Sequence, residues 1–174
     1  MKSAAMPTLP ALKQPGGKIM CETEDIMKHF ATLGGKLLVD AKQAELARIG
    51  NTPPLQMCDP LWNLPPPMHE QFGIMAFDKW VEAVTPIFKD LASKLGDGPY
   101  FGGATPGYGE CYTWHNVDVS FKLAKAELTK AVGEADVQKL EAWYKKFAEL
   151  PGVKEYLAER PKQWGMPGSK AHPA

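Results

Sequence analysis

The sequence predicts a mostly α-helical protein. A short strand–strand–helix segment (residues 1–38) precedes an all-α bundle (41–160) and an extended, mostly polar tail (161–174). Three observations predict this. Apolar residues recur at helical spacing through most of the chain beyond residue 41. The strand-like runs are short and sit near the start, on either side of Gln14-Pro15-Gly16-Gly17. The chain holds 16 prolines in 174 residues, well above the roughly 5% average, and most fall between periodic segments, where they punctuate the fold.

Met6-Pro7-Thr8-Leu9-Pro10-Ala11-Leu12 is apolar and bounded by prolines that cannot donate to a ladder, so it reads as an edge or terminal strand. Lys18-Ile19-Met20-Cys21 is a second short strand, and the pair predicts a hairpin. Glu22-Thr23-Glu24-Asp25 then starts a helix, with Thr23 as N-cap and Glu24 and Asp25 favourable in its first turn. Ile26, Phe30 and Leu33 continue it and Gly34-Gly35 ends it.

Residues 41–49 form the next helix. Pro53-Pro54, Pro60 and Pro65-Pro66-Pro67 exclude a long helix over 51–67, although Leu55, Met57, Leu61, Trp62 and Leu64 call for packing there. A helix from Asp78 carries Val81, Val84, Phe88, Leu91 and Leu95 on one stripe, with Pro86 expected to kink it. Gly96-Asp97-Gly98-Pro99 stops it. A long helix over 108–132 keeps Val117, Phe121, Ala124 and Leu128 in phase until Gly133. Asp136–Leu150 is the cleanest helix, with Val137, Leu140, Trp143, Tyr144, Phe147 and Leu150. Val153–Glu159 is a final short helix with Tyr156 and Leu157 inward, and Trp164 is a candidate anchor for the tail.

The sequence also excludes several functions. Lys+Arg and Asp+Glu both number 20, so no net basic surface is available to neutralise phosphates, and nucleic acid is not an expected partner. No apolar run approaches the ~20 residues of a membrane helix, and Met1–Pro7 lacks the apolar core of a secretory signal. Three distant cysteines, Cys21, Cys58 and Cys111, form no disulfide framework and suit a reducing compartment.

Three stretches resemble the glutathione transferase family. Met6-Pro7-Thr8-Leu9-Pro10 is similar to its cis-proline loop. Cys21-Glu22-Thr23-Glu24-Asp25-Ile26 is similar to its turn into the third helix of a thioredoxin-like domain. Gly98-Pro99-Tyr100-Phe101-Gly102-Gly103, with Phe147–Leu157, resembles its helical domain. The resemblance implies a remnant of a thioredoxin-like α/β domain, two strands and a helix, followed by the family's all-α bundle.

The resemblance also implies a glutathione half-site. Met6 would pair by its backbone with the cysteinyl unit beside cis-Pro7, and Glu22 and Thr23 would hold the γ-glutamyl end. A helix N-terminus attracts the carboxylate and Glu22 the ammonium. The alternative is that Thr23 only caps the helix and Glu22 lies on the surface. Two departures stand out. Gly107 replaces the hydroxyl of the family's capping box, leaving Glu110 to bond backbone N–H groups. The sequence begins almost at the cis-proline loop, and no residue matches the family's catalytic Tyr, Ser or Cys.

Other candidates give less. Cys21 reads as an inert buried thiol. Cys58 with His69, or Cys111 with His115, falls short of the three or four ligands zinc needs, so no metal is expected. Tyr108, Tyr112, Trp114 and His115 line either a cleft or a core stripe, with His115 interior or in the cleft. Lys122, Lys125, Lys130 and Glu127 read as a solvated face.

Two functions follow. One is a non-catalytic glutathione-binding or scaffold subunit, homodimeric or part of a larger assembly joined through the open sheet edge beside residues 6–21, with the stretch around Trp62 and Met68 as a second contact surface. The other is an active transferase joining glutathione to electrophiles, its catalytic strand lying outside this chain. Both suit the cytoplasm.

Overall fold

The computed structural model describes residues 10–159 and 166–171. β1 (Leu12–Lys13) pairs antiparallel with β2 (Ile19–Met20), Leu12 opposite Met20 and Lys13 opposite Ile19. The connecting turn closes through Gln14 N–H to the Lys18 carbonyl at 2.8 Å and Gly17 N–H to the Gln14 carbonyl at 3.0 Å. Gly16 and Gly17 take φ of 89° and 86° there, which side chains resist. The expected hairpin is present, with its first strand beginning only at Leu12. Met6–Leu9 lie outside the described residues.

α1 (Thr23–Gly34) ends where Gly35, at φ 61°, returns its N–H to the Ala31 carbonyl. The N-cap is Glu22, and Thr23 is the first helical residue; no side chain caps this end. The expected Thr23 cap is thus displaced by one position, because Glu22 already has the extended backbone a cap requires (ψ 128°). α1 rests on its small side. Ala31 is buried against Tyr108 and Ala47, with Met27 beside them, while Phe30 and Leu33 remain 55% and 70% exposed.

α2 (Ala41–Gly50) is capped by Asp40, whose carboxylate accepts the Gln43 N–H at 2.9 Å. The proline-rich stretch folds as three short helices, α3 (Pro53–Gln56), α4 (Cys58–Asn63) and α5 (Pro66–Gln71). α3 and α5 each begin on a proline, where the missing N–H costs nothing. α6 (Phe77–Leu95) passes through Pro86 without ending. Pro86 and Glu82, whose carbonyl loses its helical partner to the proline, are both exposed, so the lost bond is not buried. The non-helical residue falls instead in α7 (Tyr108–Val132), at Ala124 (φ −156°, ψ 36°). α8 (Glu134–Ala148) and α9 (Val153–Glu159) complete the bundle. Tyr156 of α9, expected inward, is 54% exposed, while Leu157 packs against the core. None of the helices among the described residues is long and apolar enough to cross a membrane.

The core lies between α6, α7 and α8. Trp80, Val84, Phe88 and Leu91 of α6 meet Val117 and Leu128 of α7 and Leu140, Trp143 and Phe147 of α8, all buried. The tail is not extended throughout: residues 166–171 fold back on α4. Met166 N–H bonds the Asn63 carbonyl at 2.8 Å and Ala171 N–H the Trp62 carbonyl at 2.9 Å. Ser169 is buried and Lys170 Nζ sits 4.1 Å above the Phe77 ring. Trp164 lies outside the described residues.

Two devices fix the start of α7. The first is Glu110, fully buried. Its Oε1 accepts Trp143 Nε1–H at 2.8 Å and Phe101 N–H at 3.1 Å; its Oε2 accepts Gly107 N–H at 2.7 Å. Burial pushes its carboxyl above the ordinary carboxylate value, against the pull of those three donors. The second is a backbone crossing. A Cβ on Gly109 would collide with the Gln43 carbonyl of α2, and one on Gly107 with the Gln43 side chain. The N-terminal segment joins the same place, with Leu38 N–H to the Pro106 carbonyl at 3.0 Å and Tyr108 N–H to the Leu38 carbonyl at 3.1 Å.

Replacing Glu110 by Ala strands three N–H donors, each costing about 1–3 kcal/mol when buried and unpaired. Denaturant unfolding should show Glu110→Ala losing at least ~3 kcal/mol, a large share of a typical domain's stability. A loss below ~1 kcal/mol would mean that Glu110 does not organise the start of α7.

Candidate functional site

A cavity of about 390 Å³ opens where the N-terminal segment meets the bundle. The first turn of α1, Glu22 to Asp25, forms one wall. Asn51 and Gln56, from the α2–α3 junction, and Tyr112 of α7 form the other. The Gln56 amide donates to Asn51 Oδ1, fixing both amides against each other.

The first intrahelical bond of α1 runs from Ile26 N–H to the Glu22 carbonyl at 3.0 Å. Among the described residues no side chain caps this end and the N–H groups of Thr23, Glu24 and Asp25 have no partner, while the helix dipole adds positive potential there. Three carboxylates share this rim, and their charges are handled differently. Glu24 Oε1 receives Lys28 Nζ at 2.6 Å and the Tyr108 hydroxyl at 3.0 Å. The Lys28 ammonium draws the Glu24 carboxyl below its ordinary value, with Tyr108 helping, and Lys28 is raised in return. Burial raises the Tyr108 phenol. Glu22 and Asp25 are exposed, so the rim keeps a net negative charge beside free N–H donors. It therefore suits a group bearing both an ammonium and a carboxylate.

Of the expected site residues, the structure brings Glu22, exposed, and Thr23, half-buried, to this rim. Met6 and Pro7 lie outside the described residues. The sequence reading did not assign Glu24, Asp25, Asn51 or Gln56 to a site. The first two belonged to a helix start read only as favourable electrostatics, and the amides arrive by tertiary packing that no local signal announces. Among the four residues of the aromatic stretch, Tyr112 alone lines the cavity. Trp114 is core: it stacks on Tyr144 at 5.2 Å and donates Nε1–H to the Tyr144 carbonyl at 2.9 Å. Tyr108 is buried. His115, expected in the interior or cleft, is on the surface at 3.0 Å from Asp59 Oδ2, because its position on α7 faces α4 at the edge of the bundle.

The cysteines do not assemble. Cys58 is buried with Sγ 3.6 Å from the Asn116 carbonyl, and burial pushes its thiol up to about 12. Burial takes Cys111 to about 11. Cys21, expected buried, is only half-buried, since the two-stranded sheet is too small to cover it. His69 donates Nε2–H to the Leu64 carbonyl at 2.9 Å. Among the described residues no three His, Cys, Asp or Glu side chains gather as a metal site would require. Lys122 reaches from the surface to the buried Asp118 at 2.7 Å, and Lys125 pairs with Glu141 at 2.8 Å.

Residues 75–160 match the family model of the glutathione S-transferase C-terminal domain. The structure is similar to Gtt2 from Saccharomyces cerevisiae, with a TM-score of 0.57 at 17% identity over 85% of this chain and 74% of that one. It is also similar to the glutathione S-transferase Blo t 8, with a TM-score of 0.62 at 20% identity over 95% of this chain and 76% of that one. At these identities the two structures speak for the fold. No curated protein matches the chain.

The thiols give a direct check on this packing. At pH 8, iodoacetamide should modify Cys21 first, with Cys58 unreacted until the protein unfolds, because only thiolate attacks and burial suppresses it. Peptide mapping after timed labelling reads the order. Early labelling of Cys58 would show that α4 does not seal against α7.

Proposed function

This chain belongs to the glutathione S-transferase family through its C-terminal domain, and we propose that it binds glutathione by the γ-glutamyl end in the cavity at the start of α1. One observation carries the reading. The rim of that cavity combines uncapped N–H donors, the half-buried Thr23 and the exposed Glu22 carboxylate. The γ-glutamyl end is a zwitterion of the same size scale. Its carboxylate pairs with the N–H groups and the Thr23 hydroxyl, and its ammonium with Glu22. Lys28 compensates Glu24, which leaves Glu22 as the more available acceptor.

We read the chain as a non-catalytic binding or scaffold subunit in the cytoplasm. Its three cysteines are free thiols, which suits a reducing compartment. Met6 and Pro7 would extend the site along the cysteinyl unit, as the resemblance implies. The two-stranded sheet, with Ile19, Phe30 and Leu33 exposed nearby, supports a second copy or a larger assembly joining at its edge. Conjugation of glutathione to electrophiles is the second reading. It is favoured by Tyr112, whose phenol in the cavity wall is the kind of hydroxyl donor that stabilises a thiolate.

Calorimetric titration of glutathione into the full chain tests the binding reading. Binding should be measurable, and Glu22→Ala and Thr23→Val should each weaken it about 5- to 30-fold, equivalent to about 1–2 kcal/mol, the scale of one partly exposed hydrogen bond. Absence of binding, or indifference to both substitutions, would overturn it. Turnover of a chloronitrobenzene electrophile by the same preparation would favour the transferase reading.

A further inference from the structure

The cavity has a weak point in its own construction. Its α1 wall is a helix end that no side chain caps. The hairpin before it has two residues in each strand, too little to be stable alone. The buried apolar contact that holds α1 to the bundle is small, formed by Ala31, Tyr108 and Ala47 with Met27, Leu37, Ala44 and Tyr112 around them. Among the described residues one directional bond crosses from the bundle to the rim itself: the Tyr108 hydroxyl donates to Glu24 Oε1 at 3.0 Å. Tyr108 is itself well placed to hold. It is buried, it is the first residue of α7, and its neighbours Gly107 and Gly109 are locked by Glu110 and by the α2 crossing. Lys28 completes the group, bonding the same oxygen and lying 5.5 Å from the Tyr108 ring centre.

We propose that Tyr108 is the positioning residue of this cavity: its hydroxyl pins the uncapped end of α1 to the bundle and so sets where Glu22, Thr23 and the free N–H groups meet a ligand. Tyr108 touches no ligand in this scheme; it acts through Glu24. The proposal rests on the reading of the cavity as a glutathione site only for the identity of the ligand. The pinning belongs to the empty protein as well. The ionised Glu24 carboxylate is the stronger acceptor. The charged and titratable groups around it are Lys28, Glu22 and Asp25 on α1 and Tyr108 and Tyr112 on α7. Glu24 lies below its ordinary carboxylate value in the folded state. Its contribution to docking α1 is therefore present in full above the ordinary value and lost as pH falls through the lowered one.

Amide hydrogen exchange of the full chain, without ligand, tests the pinning. Tyr108→Phe keeps the buried ring and removes only the hydroxyl. Exchange over 23–34 should accelerate about tenfold or more, the equivalent of one hydrogen bond to a charged group, while α6 and α8 keep their protection. The pH below which α1 loses protection should rise in Tyr108→Phe, because one of the groups holding Glu24 down is gone. A role in packing alone would not move that midpoint. Should Tyr108→Phe also loosen α6 and α8, Glu24→Gln provides the same test from the other partner. Unchanged α1 protection and an unchanged pH midpoint in both variants would overturn the proposal. Glutathione titration is the separate arm. If wild type does not bind glutathione but Tyr108→Phe frees α1, the glutathione reading fails and the pinning stands. If wild type binds and Tyr108→Phe binds equally well, Tyr108 does not position the site.

Discussion

The buried carboxylate of Glu110 is the constraint on which the rest of this structure depends. A charge removed from water is costly unless the protein supplies enough donors in return. Here those donors come from three separate places: the Phe101 backbone in the loop after α6, the Gly107 backbone before α7, and the Trp143 indole of α8. Satisfying one side chain therefore fixes the loop, the start of α7 and the approach of α8 together. Trp143 in turn packs edge-on to Phe101 at 5.1 Å, so the polar knot and the aromatic core share atoms. The position of Tyr108 and Tyr112, and with them one side of the cavity, follows from where α7 begins.

The cavity itself is an electrostatic compromise. A helix start offers donors and positive potential, yet the first turn of α1 carries Glu24 and Asp25 and is preceded by Glu22. Left alone, these charges would repel any carboxylate. Lys28, one turn on, and the Tyr108 hydroxyl absorb the Glu24 charge, which leaves an acidic position and a donor position side by side. That adjacency is what the proposed reading of the cavity as a γ-glutamyl site draws on.

How much of this was legible in the sequence depends on the range of the interaction. α8 was plain because Val137, Leu140, Trp143 and Phe147 repeat along one stripe and the stripe is buried. The hairpin and the proline-rich stretch were legible through turn chemistry and the missing proline N–H. Glu110 was recognisable as a backbone acceptor, although nothing local showed that Trp143 would join it. The docking face of α1 was not legible. The large residues Phe30 and Leu33 stand out in the pattern, but the contact is made by Ala31, whose small size lets α1 approach Tyr108. The return of residues 166–171 to α4 is made by backbone bonds to Trp62 and Asn63, which leave no residue signature. At the cavity rim, Glu22 and Thr23 are singled out in the sequence only through the family resemblance, whereas Asn51 and Gln56 reach it through the packing of α2 on α7.

The crossing of α2 over α7 has a consequence for how this sequence can drift. Gln43 is buried with an amide that finds no hydrogen-bond partner among the described residues, an arrangement that costs stability. An apolar residue of similar shape would relieve that cost. A shorter one would open a void that Gly107 alone is too small to fill, and any larger residue at Gly107 or Gly109 requires α2 to move first. Positions 43 and 107 are therefore coupled through side-chain volume, whereas Gly109 is held by the backbone carbonyl of residue 43 whatever side chain stands there. In related sequences a larger residue at 107 should come only with a smaller one at 43, while 109 should stay glycine.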